Sequence, residues 1–360
     1  MTAQEEKPVD EILRRNPGLR RDLADHGGSW MLSRGVLNIY SDLDRADAER
    51  IAAHAAVGLI QFGKKFNVSN TTLQLLSDHV LARHPRACLR ATLNGLGAFD
   101  DLGFLEHLPR LRSLVFGGNR AIDLQPIRRH GALEDLGVGG LGTSLGPLRN
   151  YERLKGFGFG ERIKHHETIG TFSNLEALNI NGQNLKSLVF LKPLERLRSL
   201  SFVLGGTRRF ADLPDLPRLE MLSIWRTRQL EIENLLPINQ MGRLRRLVLR
   251  ELPRITSLDW LTNSSVELLE LEKMKGLRSY ASLAGVANLQ TLILRDEVTA
   301  AHVIEFARLR RLKEIYVYDY YLTQLRPAVE IHSLPFAIKG INFRQGEVPL
   351  SDPPISWQPF

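Results

Sequence analysis

The chain has 360 residues, a formal net charge of +8 and a hydrophobic fraction of 43%. This hydrophobic fraction excludes a disordered chain. The single cysteine, Cys88, excludes a disulfide framework and any zinc site that needs several thiolates. Roughly 60 residues are leucine, about one in six, which is far above ordinary usage. An excess of one branched residue indicates a packing position that is repeated along the chain.

The first 30 residues are polar and contain Pro8, Pro17 and the pair Gly27-Gly28, so we expect a polar N-terminal arm over residues 1–30. The first ten residues lack the basic start and the apolar stretch of a secretory signal peptide. The longest apolar run, residues 51–62, is far too short to span a bilayer. We therefore expect a cytoplasmic protein that does not contact a membrane, and the cysteine-poor composition suggests a bacterial one.

Residues 31–88 alternate between strand and helix patterns. Asp44 offers an N-cap to a first amphipathic helix, and Asn70 or Thr71 offers one to a second helix that Pro85 ends. The region is therefore either a helical N-terminal cap made of longer α/β repeats or a separate small cap domain. Strand patterns occupy residues 36–40, 58–62 and, more weakly, 89–94.

One short pattern occurs ten times in the middle of the chain: apolar, two variable, apolar, one variable, apolar. Successive copies start 21 to 25 residues apart, and chance apolar runs would not keep this phase. The ten copies are LRSLVF (111–116), LEDLGV (133–138), LKGFGF (154–159), LEALNI (175–180), LRSLSF (197–202), LEMLSI (219–224), LRRLVL (244–249), VELLEL (266–271), LQTLIL (289–294) and LKEIYV (312–317).

In each copy the last two apolar residues alternate with variable ones, which predicts a short strand with one buried face. The next ten or so residues return the chain with apolar residues at steps of three, as a helical or 3₁₀ turn does. No copy can bury its own leucines, so stacked copies bury them against one another. We expect Asn119 to hydrogen-bond the backbone at the bend after its strand. Most copies lack this asparagine, so we expect irregular bends.

The copies resemble the leucine-rich repeat family. The pattern LxxLxFxxNxxI lies at 111–122 and LxxLxIxxQxL at 175–185, and the unit length is similar to the short, roughly 22-residue internalin-like subclass. The resemblance covers residues 89–325, about 10–11 units, and implies an α/β repeat solenoid. It implies a curved array with a concave parallel β-sheet, usually a binding surface, and an irregular, 3₁₀ or helical convex side. The cysteine-rich caps of secreted members are absent, which argues against an extracellular adhesin.

The repeat period is lost near the C-terminus. Residues 298–310 have helical spacing, so we expect a helix on the convex side of the ninth unit. We expect residues 326–360 to form a C-terminal cap with one last strand inside 333–343, followed by an extended proline-rich tail.

The variable residues beside each apolar pair point outward from the sheet, onto the concave face. They are small and glycine-rich in the first repeats and large, aromatic and charged in the later ones. Trp, Tyr and Arg are enriched in binding hot spots, and solenoid stability does not require them to face solvent. We therefore predict a partner-binding strip on the C-terminal half of the concave face. The strip comprises Trp225, Arg226, Arg246, Arg250, Glu270, Glu272, Arg295, Tyr316 and Tyr318.

The strip favours a non-enzymatic protein–protein recognition scaffold, serving as an inhibitor, an immunity protein or an adaptor. A protein partner with an acidic patch would match the positive net charge, and we expect no small-molecule substrate, cofactor or metal. One alternative is a nucleic-acid-binding protein whose basic, aromatic strip tracks phosphates and stacks bases. Another is that the strip is a ladder of mutually paired arginines and glutamates without a binding role.

Motifs for catalysis are weak in this sequence. Gly137, Gly139 and Gly142 spell GxGxxG, but they lie inside a repeat and no long helix follows, as a dinucleotide site would require. The run HHE at 165–167 lacks the spacing of a helical zinc site, in which two histidines are four residues apart. Neither motif predicts an enzyme.

Overall fold

The computed structural model describes residues 28–63, 66–94, 97–160, 162–309, 311–318, 320–322, 325 and 336–341. The arm predicted for residues 1–30 and the proline-rich tail lie almost entirely outside the described residues. The chain divides into two compact units, Met1–Phe172 and Ser173–Phe360. No helix in the described ranges is long and apolar enough to cross a membrane.

The described part of the first unit contains seven strands that pair in sequence order. The first two strands form an antiparallel hairpin, in which Trp30 pairs with Ile39, and the later pairs are parallel. Equivalent leucines meet across the parallel pairs: Leu114 pairs with Leu89 on one side and Leu136 on the other. The strands are β1 (Trp30–Ser33), β2 (Val36–Ile39), β3 (Leu59–Phe62), β4 (Cys88–Thr92), β5 (Ser113–Gly117), β6 (Asp135–Val138) and β7 (Gly156–Phe159).

Two helices follow β2 and β3 in the first unit. The helix α1 (Arg45–Ala53) begins at Asp44, whose carboxylate accepts the Asp47 N–H at 2.7 Å, so the predicted cap is confirmed. The second helix, α2 (Asn70–Leu75), continues as a π-helix over Leu76–Leu81. Its N-cap is Ser69, so the predicted cap at residue 70 or 71 was wrong. The Ser69 hydroxyl accepts the Thr72 N–H, and the backbone is already helical from residue 70.

The described part of the second unit contains eight strands, each parallel to the next. The register again joins equivalent positions, because Leu222 pairs with Leu200 and with Leu247, and all three leucines are buried. The strands are β8 (Ala177–Asn181), β9 (Ser199–Val203), β10 (Met221–Trp225), β11 (Arg246–Arg250), β12 (Leu268–Glu272), β13 (Thr291–Leu294), β14 (Glu314–Tyr318) and β15 (Ala337–Ile341).

Each of the ten leucine-rich copies overlaps one of the strands β5 to β14, so the predicted repeat is confirmed. Strand β15 confirms the last strand predicted inside 333–343. The hairpin strand β1 was not predicted. Within each unit the leucine-rich copies therefore form a stack, an α/β solenoid in which equivalent positions of neighbouring parallel strands are paired.

The segments that return the chain between strands are short and mostly 3₁₀-helical. Besides those that hold α1 and α2, three described return segments carry α-helices: α3 (Gln125–His130), α4 (Ile232–Leu235) and α5 (Ala300–Phe306). Helix α5 confirms the helical pattern at 298–310, although the helix is shorter than the pattern. The 3₁₀ helices are Gly103–His107, Gly146–Leu148, His166–Thr171, Val189–Leu191, Leu213–Asp215, Leu236–Gln240, Asp259–Leu261 and Ala281–Gly285.

Several bends after the strands are satisfied by a side chain from the next repeat. Thr143 Oγ1 accepts the Ile122 N–H at 3.1 Å, and Thr207 Oγ1 accepts the Leu185 N–H at 3.0 Å. Both hydroxyl-bearing residues are buried. Asn119 is exposed, so its predicted role at this bend was wrong. A threonine hydroxyl from the next repeat therefore satisfies the backbone N–H at the bend, in place of an asparagine side chain from the same repeat. This hydrogen bond joins successive repeats.

We predict that Thr207→Val lowers the free energy of unfolding by about 1–3 kcal/mol, because a buried N–H loses its acceptor. The variant also removes the donor to the Gln183 carbonyl, which lies 3.2 Å from Thr207 Oγ1. Urea denaturation monitored by circular dichroism measures the change.

Thr227→Val is the matched control, because Thr227 is equally buried and its hydroxyl has no hydrogen-bond partner among the described residues. We expect this variant to unfold within about 0.5 kcal/mol of the wild type, or to be more stable. Equal losses in the two variants would contradict a specific role for the bend hydrogen bond.

Candidate functional site

The open face of the second unit is the side of its sheet opposite the buried leucines. Strand register arranges its side chains in rows that run across the strands. In one row Trp225 lies beside Arg250, and Arg250 lies beside Glu272. In the central row Glu270 lies between Val248 and Ile293. The parallel register therefore brings residues of the predicted strip together from separate repeats.

A buried carboxylate lies at the centre of the strip. The side chain of Glu270 is 0% exposed, although it is on the open face of β12. It accepts hydrogen bonds from Arg295 Nε at 2.6 Å, Arg250 Nη2 at 2.5 Å and Arg246 Nη2 at 3.3 Å. The three arginine side chains are only 18–28% exposed, so they lie over the carboxylate and cover it. We call these four residues the arginine hub.

Electrostatic attraction holds the hub together against the cost of burial. Burial alone would raise the pKa of the Glu270 carboxyl. The charges of Arg250, Arg295 and Arg246, together with the hydrogen bond from Arg250, outweigh burial and hold that pKa below its ordinary value. Burial lowers the pKa of the Arg246 guanidinium, against the attraction of Glu270. Arg250 Nε also lies 3.4 Å from a carboxylate oxygen of Glu272. With three guanidiniums and two carboxylates, the hub and Glu272 together carry one net positive charge.

A second cluster fixes the tryptophan of the strip. Glu251 accepts hydrogen bonds from Trp225 Nε1 at 3.2 Å and Arg226 Nε at 2.6 Å, and Lys273 Nζ lies 3.4 Å away. The Arg226 guanidinium lies over the indole, 5.3 Å from its centroid. The hydrogen bond from Arg226 is the main reason that the pKa of Glu251 falls to about 2.

Glu251 and Lys273 follow their strands and do not lie within them, and the sequence analysis missed both. It included only Arg226 from this position. Arg226, Glu251 and Lys273 occupy the same position, directly after β10, β11 and β12, with φ of 56°, 52° and 51°. This left-handed conformation is unusual for residues other than glycine. The sequence signal for this cluster is a cation, an anion and a cation at the same position of three successive repeats.

The tyrosines at the far end of the strip differ in exposure. Tyr316 is buried; its hydroxyl donates to Glu314 at 2.6 Å, and Lys339 Nζ lies 5.6 Å from its ring centroid. Tyr318 is partly exposed and packs against Tyr321, with ring centroids 6.2 Å apart. Tyr320 packs on Tyr321 and is 71% exposed. Tyr320 and Tyr321 were missed because they follow the last strand in which the repeat period is clear.

Two residues of the predicted strip are not available for direct contact. Glu270 lies beneath the arginines and Tyr316 is buried, so neither side chain is exposed even though both are at outward positions of their strands. Alternation identifies the face of the sheet but does not show whether long neighbouring side chains cover a residue. The other seven residues keep partly exposed side chains on or beside the open face, and their role in binding remains a prediction.

The described residues offer no recognisable metal centre. Among them, no group of three or more His, Cys, Asp or Glu residues is arranged to hold a metal ion.

Cys88, which lies on β4, has its thiol pKa raised by burial, so the nucleophilic thiolate is disfavoured there.

We predict that Glu270→Ala lowers the free energy of unfolding by about 3 kcal/mol or more, because it leaves three packed guanidiniums without their shared carboxylate. Glu272→Ala is the matched control on the same strand. Its carboxylate is 22% exposed and forms one ion pair with a described residue, at 3.4 Å, so we expect a loss below about 1 kcal/mol. Denaturation with guanidinium chloride measures both losses. A loss for Glu270→Ala as small as that of the control would contradict the stabilising role of the arginine hub.

We predict that Glu251 contributes a pH-dependent part of the stability. Its pKa is about 2 in the folded chain against an ordinary 4.5, so its contribution is complete above pH 4.5 and is lost as the pH falls towards about 2. The unfolding free energy of Glu251→Gln should therefore fall less steeply than that of the wild type over this interval, as measured by urea denaturation at each pH. Glu195→Gln, at an exposed position without an ion pair among the described residues, should keep the wild-type slope. Parallel wild-type and Glu251→Gln curves would refute the prediction.

No family model and no curated protein sequence matches the chain. Among solved structures, the chain is similar to an internalin (inlF) from Listeria monocytogenes. This internalin is 15% identical, with a TM-score of 0.47 over 95% of this chain and 100% of that chain. The chain is also similar to internalin C2 (inlC2) from the same organism, which is 14% identical, with a TM-score of 0.39 over 63% of this chain and 91% of that chain. The stacked register of the leucine-rich repeats, and not these similarities, defines the fold of the chain.

Proposed function

We propose that the chain is a non-enzymatic, cytoplasmic recognition scaffold that docks a protein partner on the strip. The arginine hub is the single observation that carries this proposal. In such a role the chain would act as an inhibitor, an immunity protein or an adaptor. The partner would contact the exposed parts of the strip, while Glu270 and Tyr316 position their neighbours from below.

The hub is costly for a purely structural element. Val248 and Ile293, the neighbours of Glu270 in the central row, are both buried and apolar, so this row accepts apolar side chains. A carboxylate at the same place must lose its hydration, and the attraction of the arginines offsets that loss only when the geometry is good. A buried carboxylate that anchors three guanidiniums therefore supports a role in presenting them to a partner.

A fixed set of guanidiniums is well suited to protein recognition. Arginine, tryptophan and tyrosine are the residues most enriched in binding hot spots. A long arginine side chain normally loses conformational entropy when it binds, and Glu270 restricts Arg250 and Arg295 before the partner arrives. Trp225 and Tyr318 lie on the first and last of the five strands of the strip, which span about 20 Å at a strand spacing of about 4.8 Å.

The contacts of the aromatic rings favour a protein over a nucleic acid. Single-stranded nucleic acids bind by stacking bases on exposed aromatic faces. The indole of Trp225 is occupied by Arg226, and the ring of Tyr316 is buried beside Lys339. Glu272 and Glu251 also lie among the cations of this face, where they would repel phosphates.

We predict that Trp225→Ala/Tyr318→Ala weakens binding of the natural partner by at least about tenfold, since one hot-spot aromatic contributes about 2 kcal/mol. The partner is first captured from a lysate of the source organism by cross-linking to the wild-type chain. It is then purified, and its Kd for each variant is measured by calorimetry. Val189→Ala/Phe190→Ala is the matched control, because it shortens two partly exposed apolar side chains on a return segment away from the open face.

The control variant should bind the partner as the wild type does. A partner that binds all three proteins with the same Kd would show that the strip is not its docking surface. Thermal unfolding of each variant confirms that a loss of affinity does not reflect a loss of folding.

A further inference from the structure

One edge of the sheet in the second unit carries most of the net charge of the chain. We call it the post-strand edge: the seven residues that follow each of the strands β8 to β12. These segments hold nine lysines and arginines against two glutamates, a net charge of +7, while the whole chain carries +8. The five segments are residues 182–188, 204–210, 226–232, 251–257 and 273–279.

The opposite edge provides an internal comparison. The pre-strand edge consists of the seven residues before each of the same strands, and it holds six cations against five carboxylates, a net charge of +1. The repeat therefore does not place positive charge equally on its two edges. The segments of the pre-strand edge are residues 170–176, 192–198, 214–220, 239–245 and 261–267.

Within the described part of the chain, most cations of the post-strand edge have no carboxylate at ion-pair distance. Its two glutamates are already used, since Glu231 pairs with Arg254 and Glu251 pairs with Arg226 and Lys273. The remaining six cations are exposed, and none forms an ion pair with a described residue. They are Lys186, Arg208, Arg209, Arg228, Lys275 and Arg278.

Backbone hydrogen bonds hold the first residues of neighbouring segments of this edge in register. The N–H of Leu204 donates to the Trp225 carbonyl at 2.8 Å, and the N–H of Arg226 donates to the Arg250 carbonyl at 3.0 Å. These bonds continue the strand ladder beyond the sheet into the start of the loops. With strands about 4.8 Å apart, the five segments form a row about 20 Å long. The row joins the strip, because Arg226 belongs to the strip and is also the first residue of the segment 226–232.

We propose that the post-strand edge binds an acidic protein segment, rich in Asp and Glu, that belongs to the partner docked on the strip. The inference rests on the proposed function in that it names the chemistry of the same partner. Carboxylates along such a segment would meet the six exposed cations and relieve the repulsion among them. The segment would extend from the strip across the ends of strands β8 to β12.

An acidic segment fits this edge better than a nucleic acid does. The five segments contain one aromatic residue, Phe210, and it is buried. The edge therefore lacks the exposed aromatic rings on which bases stack. It does offer Leu204, which is 37% exposed beside Trp225, as an apolar contact for a protein side chain.

A labelled peptide in which glutamate alternates with serine is the probe, and fluorescence anisotropy at about 50 mM salt measures its affinity. The edge variant is Arg208→Glu/Arg209→Glu/Arg228→Glu. The matched control, Arg196→Glu/Arg218→Glu/Arg243→Glu, changes the net charge of the chain equally but lies on the pre-strand edge. All six positions are exposed and form no ion pair with a described residue.

We expect the edge variant to bind the peptide at least about tenfold more weakly than the wild type, and the control to stay within about threefold. Equal losses in both variants would mean that the peptide responds to net charge alone, and this would overturn the inference. Absence of wild-type binding would also overturn it. So would tighter binding of an oligothymidylate of equal charge, with the steep salt dependence of phosphate contacts.

Two further measurements distinguish binding by the post-strand edge from binding by the strip. Trp225→Ala/Tyr318→Ala should retain the wild-type affinity for the peptide, because it leaves every cation in place. The edge variant should weaken binding of the natural partner. If it does not, while the strip variant does, the inference fails and the proposed function stands. If neither variant changes the Kd of the partner, both fail.

Discussion

The structure depends on leucines that occupy the same place in successive repeats. Leu178, Leu200, Leu222, Leu247 and Leu269 follow one another across β8 to β12 and are all buried. Because side chains alternate along a strand, a slip of one residue would turn the buried leucine outward and bring outward side chains into the core, among them the charged side chains of β11 and β12. The free-energy cost of exchanging inward and outward side chains fixes the strand register. The register in turn determines which outward side chains are neighbours on the open face.

The longest repeat shows how this register tolerates extra residues. The copies at 219 and 244 are 25 residues apart, yet Trp225 still pairs with Arg250. The additional length lies in the return segment, where helix α4 is followed by the 3₁₀ helix Leu236–Gln240. Return segments pack locally, so they absorb insertions that the strands cannot accept. Rows on the open face therefore stay aligned even though the repeats differ in length.

The parts that depend on leucine spacing were predictable, and the parts that depend on contacts between repeats were not. Burial of leucine leaves a period in the sequence, so the strands β5 to β14 follow from it. Alternation places Glu270 on the outward face, but the cover over it comes from two arginines of β11 and from Arg295 directly after β13. The period does not describe the lengths and directions of these side chains. Thr143 satisfies the bend that holds Asn119 because it lies one repeat away, and a motif within one repeat cannot reveal such a partner. Glu251 lies outside the alternating positions altogether.

The second unit arranges its charges in two different ways, and the difference bears on how a partner would bind. On the strip the charges are paired, packed and largely covered, as in the arginine hub. Such groups act over short distances, and they favour a partner whose groups match their geometry. On the post-strand edge six of the nine cations are exposed and form no ion pair with a described residue, so their field reaches about 10 Å into the solvent at moderate salt. In the proposed complex the edge would accelerate the encounter with an acidic partner, and the strip would decide how long that partner stays. Salt would then change mainly the association rate, whereas truncation of Trp225 would change mainly the dissociation rate.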